Sequence, residues 1–75
     1  MVKVFTLVSA EVGKAKEVLS GLKKTGLEVY PLFGEYDFIV LAETVDLKTA
    51  TATILEKIQA VKGVTRTRTL VGAEI

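Results

Sequence analysis

Two stretches of helical periodicity, each set between strand-like stretches, restrict the folds open to this 75-residue chain more than any other feature. In the helical stretches apolar residues recur every three or four positions. The strand-like stretches are short runs rich in valine, threonine and aromatic residues. The predicted elements are, in order, strand Val2–Val8, helix Glu11–Thr25, strands Leu27–Phe33 and Asp37–Ala42, a helix from the N-cap Asp46 to about Lys62, and strand Val64–Val71.

The order of these elements, β-α-β-β-α-β, predicts an α+β fold. With right-handed crossovers it gives the ferredoxin-like arrangement, a four-stranded antiparallel sheet in the order 4-1-3-2 with both helices on one face. Pro31 cannot donate a hydrogen bond within a sheet, so the second strand is placed at an edge. No linker or low-complexity segment divides the chain, and residues 1–75 are expected to form a single domain.

Each predicted helix has one apolar stripe and one polar face, as a helix that lies on a sheet usually has. Gly26 and Gly63 follow the two stripes, where glycine commonly ends a helix. Asp46 is placed to cap the second helix at its N-terminus. The stripes are Val12, Ala15, Val18, Leu19 and Leu22 in the first helix, and Leu47, Ala50, Ile54, Ile58 and Val61 in the second.

The central strands are apolar on both faces, although helices can cover only one face of this sheet. On the other side the strands present Phe5 and Leu7, or Ile39 and Leu41. Hydrophobic residues make up 49% of the chain, and a chain this short buries only about 60% of its unfolded surface. An exposed apolar sheet is an aggregation liability in a monomer. The sequence therefore predicts an obligate dimer in which two sheets pack face to face.

The composition excludes several kinds of site. The chain has no cysteine and no histidine, so disulfides, thiolate metal sites and the commonest general base are absent, and no metal or cofactor is predicted. The net charge of +1, with mixed signs, indicates no nucleic-acid or membrane face. Because the chain starts directly with a strand-like run, we expect no signal peptide and a cytoplasmic protein. The absence of asparagine and the single glutamine are typical of proteins from hot habitats.

The segment Phe33-Gly34-Glu35-Tyr36-Asp37-Phe38 joins the two middle strands. Gly34 suits the first central position of a type II′ turn because φ is positive there. Asp37 is a poor strand former at the start of the most apolar run in the chain. It either accepts hydrogen bonds from the turn amides, as aspartate often does, or has a binding function.

Two motifs resemble those of a known family. Gly34-Glu35-Tyr36-Asp37-Phe38 resembles the Gly-x-Tyr-Asp signature between the second and third strands of the Lrp/AsnC effector domain, also called the RAM domain. The segment from Gly63 to Thr69 (GVTRTRT) resembles that family's Gly-Val-x-x-Thr-x-Thr segment, which leads into the last strand. The likeness covers essentially the whole chain. Regulators of this family carry an N-terminal helix-turn-helix domain, so the resemblance implies a stand-alone form that does not bind nucleic acid directly.

The resemblance implies a non-catalytic small-molecule-binding module that senses or modulates amino-acid metabolism. Its dimers would assemble into a ring, commonly an octamer, and would bind amino acids where dimers meet. Full-length Lrp/AsnC-type regulators are further partners that it implies. The residues assigned to the ligand pocket are Gly34, Tyr36, Asp37, Thr67 and Thr69. These residue types suit an amino acid, because Asp37 can accept from an ammonium group while hydroxyls and main-chain amides donate to a carboxylate.

Some of these residues also have purely structural interpretations. Tyr36 can pack across strands, and Thr67 and Thr69 are β-branched residues in a strand. Arg66 and Arg68 are interpreted as residues of a solvated edge, although either can pair with a carboxylate or with an acid of a neighbouring subunit.

Three other functions are compatible with this topology. An ACT-like regulatory domain also binds amino acids, but its binding glycine lies after the first strand, where Gly13 stands in an unremarkable context. A small dimeric α+β barrel enzyme usually uses histidine or a buried polar cluster. An RNA-binding sheet needs stacking aromatics within basic strands, whereas Phe5 and Phe38 are flanked by aliphatic residues. For an enzyme, the acid–base candidates are Tyr30, Glu35, Tyr36, Asp37 and Glu43. Their spacing does not indicate a catalytic pair.

Overall fold

The computed structural model describes residues 2–72, apart from the side chains of Leu47 and Ala50. Its elements follow the predicted order: β1 Val2–Ala10, α1 Ala15–Lys24, β2 Glu28–Pro31, β3 Phe38–Thr44, α2 Leu47–Gln59 and β4 Val64–Val71. The strands of this part of the chain form one antiparallel sheet in the order β2-β3-β1-β4. The ferredoxin-like α+β prediction is confirmed, and Pro31 lies in an edge strand.

The register of the sheet defines a face covered by both helices. Val8 of β1 pairs with Phe38 of β3, and Thr6 pairs with Val40. All four side chains are buried. They pack toward the apolar sides of α1 and α2, because one cluster of buried residues joins the strands to both helices. That cluster consists of Val8, Val18, Leu22, Phe38, Val40, Ile54 and Ile58.

The alternate residues of the strands occupy the open face, on the side away from the helices. Leu41, Phe5 and Leu70 are register partners across three neighbouring strands, and we call these three residues the apolar row. The next register partners along the strands are Ile39, Leu7 and Arg68. Leu70 is 44% exposed, and Phe5 and Leu41 are half-buried. The prediction that the helix-free side of the sheet carries apolar side chains is therefore confirmed.

Helix α1 is shorter than predicted. Gly13 has a φ of +82°, which lies outside the helical region. The helix begins only at Ala15, so the predicted start at Glu11 is wrong, and Val12 is 98% exposed instead of belonging to the apolar stripe. Ala15 is exposed as well. The remaining stripe residues are buried or half-buried against the core, namely Val18, Leu19 and Leu22.

Helix α2 begins where predicted but ends early. Asp46 is its N-cap, and Oδ1 accepts a hydrogen bond from the N–H of Thr49 at 3.4 Å. The helix ends at Gln59, so the predicted end near Lys62, with Gly63 as the terminating residue, is wrong. The N–H of Val61 donates to the carbonyl of Ile58, which is a tighter turn than an α-helix makes. The predicted stripe positions Leu47 and Ala50 lie outside the described side chains.

Helix α1 closely approaches the segment that follows α2 at Gly21. A Cβ atom at this position would lie 2.6 Å from Cγ1 of Val61. Only a residue without a side chain is therefore compatible with the observed contact between α1 and the segment that follows α2.

Candidate functional site

The connection between β2 and β3 is the loop Leu32–Asp37, which we call the hairpin loop. The predicted two-residue type II′ turn is wrong, because the last paired residues are Pro31 and Phe38. The loop is closed more widely, by the N–H of Leu32, which donates to the carbonyl of Asp37 at 2.8 Å, while the N–H of Asp37 donates to the carbonyl of Val8 in β1 at 2.9 Å. The predicted positive φ of Gly34 is confirmed at +134°. Gly34 itself is exposed.

Asp37 joins the hairpin loop to the central strand. Its Oδ2 accepts a hydrogen bond of 2.7 Å from the N–H of Ala10. That N–H lies where the register between β1 and β4 shifts, between Ser9 and Ala10, and a shift of this kind leaves a ladder group without its regular partner. Asp37 therefore has a structural contact, but the amide that its carboxylate satisfies belongs to β1 and not, as the structural interpretation predicted, to the turn.

Tyr36 lies against a residue of β4. The Cζ atom of Arg66 is 4.9 Å from the centroid of the Tyr36 ring, which is within the range of a cation–π contact. Arg66 pairs with Ser9 in the sheet, and the hydroxyl of Ser9 donates to the carbonyl of Glu35 at 3.3 Å. The hairpin loop therefore folds over the ends of β1 and β4, with Tyr36 half-buried there.

Thr67 and Thr69 belong to the other side of the sheet. Thr67 pairs with Val8, and Thr69 pairs with Thr6, on the face that the helices cover. The hydroxyl oxygens of Thr69 and Thr6 are 3.4 Å apart, and Thr67 and Thr69 are both half-buried. Thr69, which lies two residues beyond Thr67 in β4, therefore has a hydrogen-bond partner within the chain.

The structure brings three of the five predicted site residues together and separates the other two. Gly34, Tyr36 and Asp37 share the hairpin loop at the end of the sheet where β1 ends and β4 begins. Thr67 lies at the same end but on the opposite face, and Thr69 lies farther from that end. Residues that sequence reasoning missed complete the surroundings of the loop, namely Ser9, Ala10 and Arg66.

Two surface cavities lie away from the hairpin loop. One, of about 680 Å³, is formed where β2 begins and α2 starts, with Leu27, Ala42 and Ile54 among its lining residues. The other, of about 940 Å³, lies between the two helices over Gly21 and Val61. Neither contains a predicted site residue.

Within residues 2–72 no group of three or more His, Cys, Asp or Glu side chains is placed to hold a metal ion. None of the described helices is long and apolar enough to cross a membrane. Chemically, the end of the sheet offers a carboxylate, a guanidinium group on an aromatic ring and exposed main-chain groups at Gly34. This set suits binding of a small polar molecule that carries both charges.

The fold is that of a small α+β domain with a polar loop at one end of its sheet, an arrangement that suits a ligand-binding regulatory domain. A family model described as the Lrp/AsnC ligand binding domain matches residues 3–74. The chain therefore belongs to the Lrp/AsnC ligand-binding domain family. The family resemblance found in the two sequence motifs is thus confirmed. None of the curated proteins matches the chain significantly.

Solved structures agree with this assignment. FFRP-DM1 is 36% identical, with a TM-score of 0.80, and the match covers 97% of this chain and 100% of that one. The hypothetical protein PHS023 from Pyrococcus horikoshii is 34% identical, with a TM-score of 0.78 and coverage of 100% and 93%. A complex of the transcriptional regulator NMB0573 from Neisseria meningitidis with L-Met has a TM-score of 0.77 at 18% identity. That match covers 97% of this chain but only 50% of the regulator, and at this identity it shows the fold alone.

Proposed function

We propose that this protein is a non-catalytic, oligomeric amino-acid-binding module of the cytoplasm that modulates amino-acid metabolism, by itself or together with full-length Lrp/AsnC-type regulators. The observation that carries the proposal is the fixed position of Asp37 at the end of the sheet. The N–H of Ala10 occupies only Oδ2 of that carboxylate. Because a carboxylate can accept about four hydrogen bonds, Asp37 retains the capacity to bind an ammonium group.

The other predicted residues complete an amino-acid site in this proposal. Gly34 lets a ligand approach the main chain closely because it has no side chain, and Tyr36 provides aromatic surface for the side chain of the ligand. Thr67 and Thr69 lie on the helix-covered face, away from the hairpin loop, but they belong to the edge strand β4 and are only half-buried. We therefore assign them to a pocket wall contributed by a neighbouring copy. The L-Met bound to the Neisseria regulator supports an amino acid as the ligand class.

The oligomer in this proposal is built on the open face of the sheet. The apolar row of Leu41, Phe5 and Leu70 crosses three strands of that face. Packing two such faces together removes both rows from water, with a gain of about 25 cal/mol per Å² of apolar surface. Dimers formed in this way would assemble further into a ring, for which an octamer is the expected size.

Thermal-shift measurements test the binding proposal. We expect at least one of the common amino acids, at millimolar concentration, to raise the Tm of the wild type, because a ligand that binds only the folded state stabilises it. Asp37→Asn should abolish that increase. Glu35→Gln is the matched control, since it neutralises an exposed carboxylate of the same loop, and it should leave the increase intact. If no amino acid raises the Tm of the wild type, the proposed function is wrong.

Light scattering tests the assembly separately. Phe5→Lys places a charge in the middle of the apolar row and should convert the oligomer into monomers or smaller species. Val45→Lys is the matched control, because Val45 is 85% exposed and lies outside the strands. A wild type that is monomeric at micromolar concentration, or an oligomer that persists in Phe5→Lys, would contradict packing through the open face.

A further inference from the structure

We propose that Arg66 binds the carboxylate of the amino acid and makes the site selective for ligands with a free acid group. This assignment rests on the proposed function, since it concerns the same site. Neither motif assigns a role to this position, and the sequence favoured a solvated edge, with pairing to a carboxylate as the alternative. Arg66 is exposed on the edge strand β4, and its guanidinium group lies over the ring of Tyr36, a residue of the hairpin loop.

The stacked position leaves the donors of Arg66 available. A guanidinium group that lies on an aromatic ring, here at 4.9 Å from the centroid, keeps its N–H groups at its edges, where they can bind a carboxylate through two parallel hydrogen bonds. Among residues 2–72 the ion pair formed is that of Lys14 with Glu17, and no carboxylate lies within 4.0 Å of Arg66. The ring also restricts the motion of the side chain, which lowers the entropy cost of binding an anion.

Arg66 of β4 and Asp37 of the hairpin loop both adjoin the end of β1. Arg66 pairs with Ser9, and the carboxylate of Asp37 is bonded to the N–H of Ala10. An α-amino acid carries its ammonium and carboxylate groups on one carbon atom, so its two charges also lie side by side. Asp37 and Arg66 together therefore offer one group for each charge of the ligand, which neither residue does alone.

Arg68 is the control that distinguishes the proposed role of Arg66 from a general effect of positive charge. It lies on the same strand and the same face as Arg66, pairs with Leu7 and is exposed. The aromatic contact found in residues 2–72 involves Arg66 and not Arg68. Replacing Arg68 changes the net charge of this surface by the same amount and leaves the stacked guanidinium in place.

The test is calorimetric titration of the wild type, Arg66→Gln, Arg66→Lys and Arg68→Gln with L-methionine and with L-methioninamide, which lacks the carboxylate. If another common amino acid gives a larger thermal shift, that amino acid and its amide replace this pair. The wild type and Arg68→Gln should bind the acid about 10-fold to 100-fold more tightly than the amide, the usual range for a hydrogen-bonded charge. Arg66→Gln should reduce that ratio to less than about threefold, with unchanged affinity for the amide. Arg66→Lys should give an intermediate ratio, because it retains the charge and loses the planar fork.

The possible failures are distinguishable. If no amino acid binds the wild type, the proposed function is wrong and the role of Arg66 with it. If an amino acid binds but the wild type does not prefer it over its amide, the role of Arg66 is wrong while the proposed function stands. The same conclusion follows if Arg66→Gln keeps the preference of the wild type. Thermal melts and light scattering of each variant establish that fold and assembly are unchanged, so that the ratios report the site.

Discussion

Replacing Asp37 by alanine tests whether this residue holds the hairpin loop onto the sheet. The substitution removes the 2.7 Å hydrogen bond between Oδ2 and the N–H of Ala10. A hydrogen bond to a charged group contributes about 1.5–3 kcal/mol. Because Asp37 is half-buried, we expect the free energy of unfolding to fall by about 2 kcal/mol, which lowers the Tm of a domain of this size by roughly 8–16 °C. Asparagine keeps an acceptor oxygen without the charge, so Asp37→Asn should lose about half as much.

Urea denaturation followed by circular dichroism measures these differences. All variants must be compared at one protein concentration, because association of copies adds to the apparent stability. Glu35→Ala is the control, since it removes an exposed carboxylate from the same loop, and its free energy of unfolding should stay within about 0.5 kcal/mol of the wild type. Two results would refute the reasoning: an Asp37→Ala protein as stable as Glu35→Ala, or an Asn variant as unstable as the Ala variant.

Three further substitutions test the packing and the backbone, each by urea denaturation. Gly21→Ala puts a Cβ atom 2.6 Å from Cγ1 of Val61, so it should destabilise the protein by about 1–3 kcal/mol although alanine favours helices. Adding Val61→Ala should recover part of that loss, and no recovery would point away from this contact. A Cβ atom at Gly34 would meet no atom within 4 Å. Gly34→Ala should therefore lower the free energy of unfolding by about 1–3 kcal/mol through the positive φ alone, and an unchanged urea denaturation curve would contradict this origin. Asp46→Ala removes the N-cap of α2 and should cost about 0.5–1 kcal/mol, whereas Asp46→Ser should be nearly neutral.

The sequence was sufficient to predict the order of the elements and the topology of the sheet. Both follow from apolar periodicity and from the handedness of crossovers, which are properties of whole segments. Helix boundaries were less predictable, because periodicity does not show where the backbone leaves the helix. Val12 and Val61 continue the apolar spacing of their helices, but Gly13 takes a positive φ before α1 and a tight turn follows α2.

The candidate site was predictable only as far as the hairpin loop. Gly34, Tyr36 and Asp37 are neighbours in the chain, so a short motif contains them together. Their contacts with Arg66 and Ala10 depend on the register of β1 with β4, which shifts between Ser9 and Ala10. A shift of one residue reverses the side to which a side chain points. Apolar spacing carries no information on such a shift, and for this reason the contact of Arg66 with Tyr36 was not predicted, although Arg66 is exposed on the edge strand β4 as expected.

The hydrogen bonds that tie the hairpin loop to β1 also determine how a ligand can be received there. The N–H of Ala10 donates to the carboxylate of Asp37, and the N–H of Asp37 donates to the carbonyl of Val8. The hydroxyl of Ser9 donates to the carbonyl of Glu35. Ordering one backbone residue costs about 1–2 kcal/mol of conformational entropy, and in this chain that loss occurs during folding. An arriving molecule therefore meets a preorganised surface, and its association does not have to wait for a lid to close.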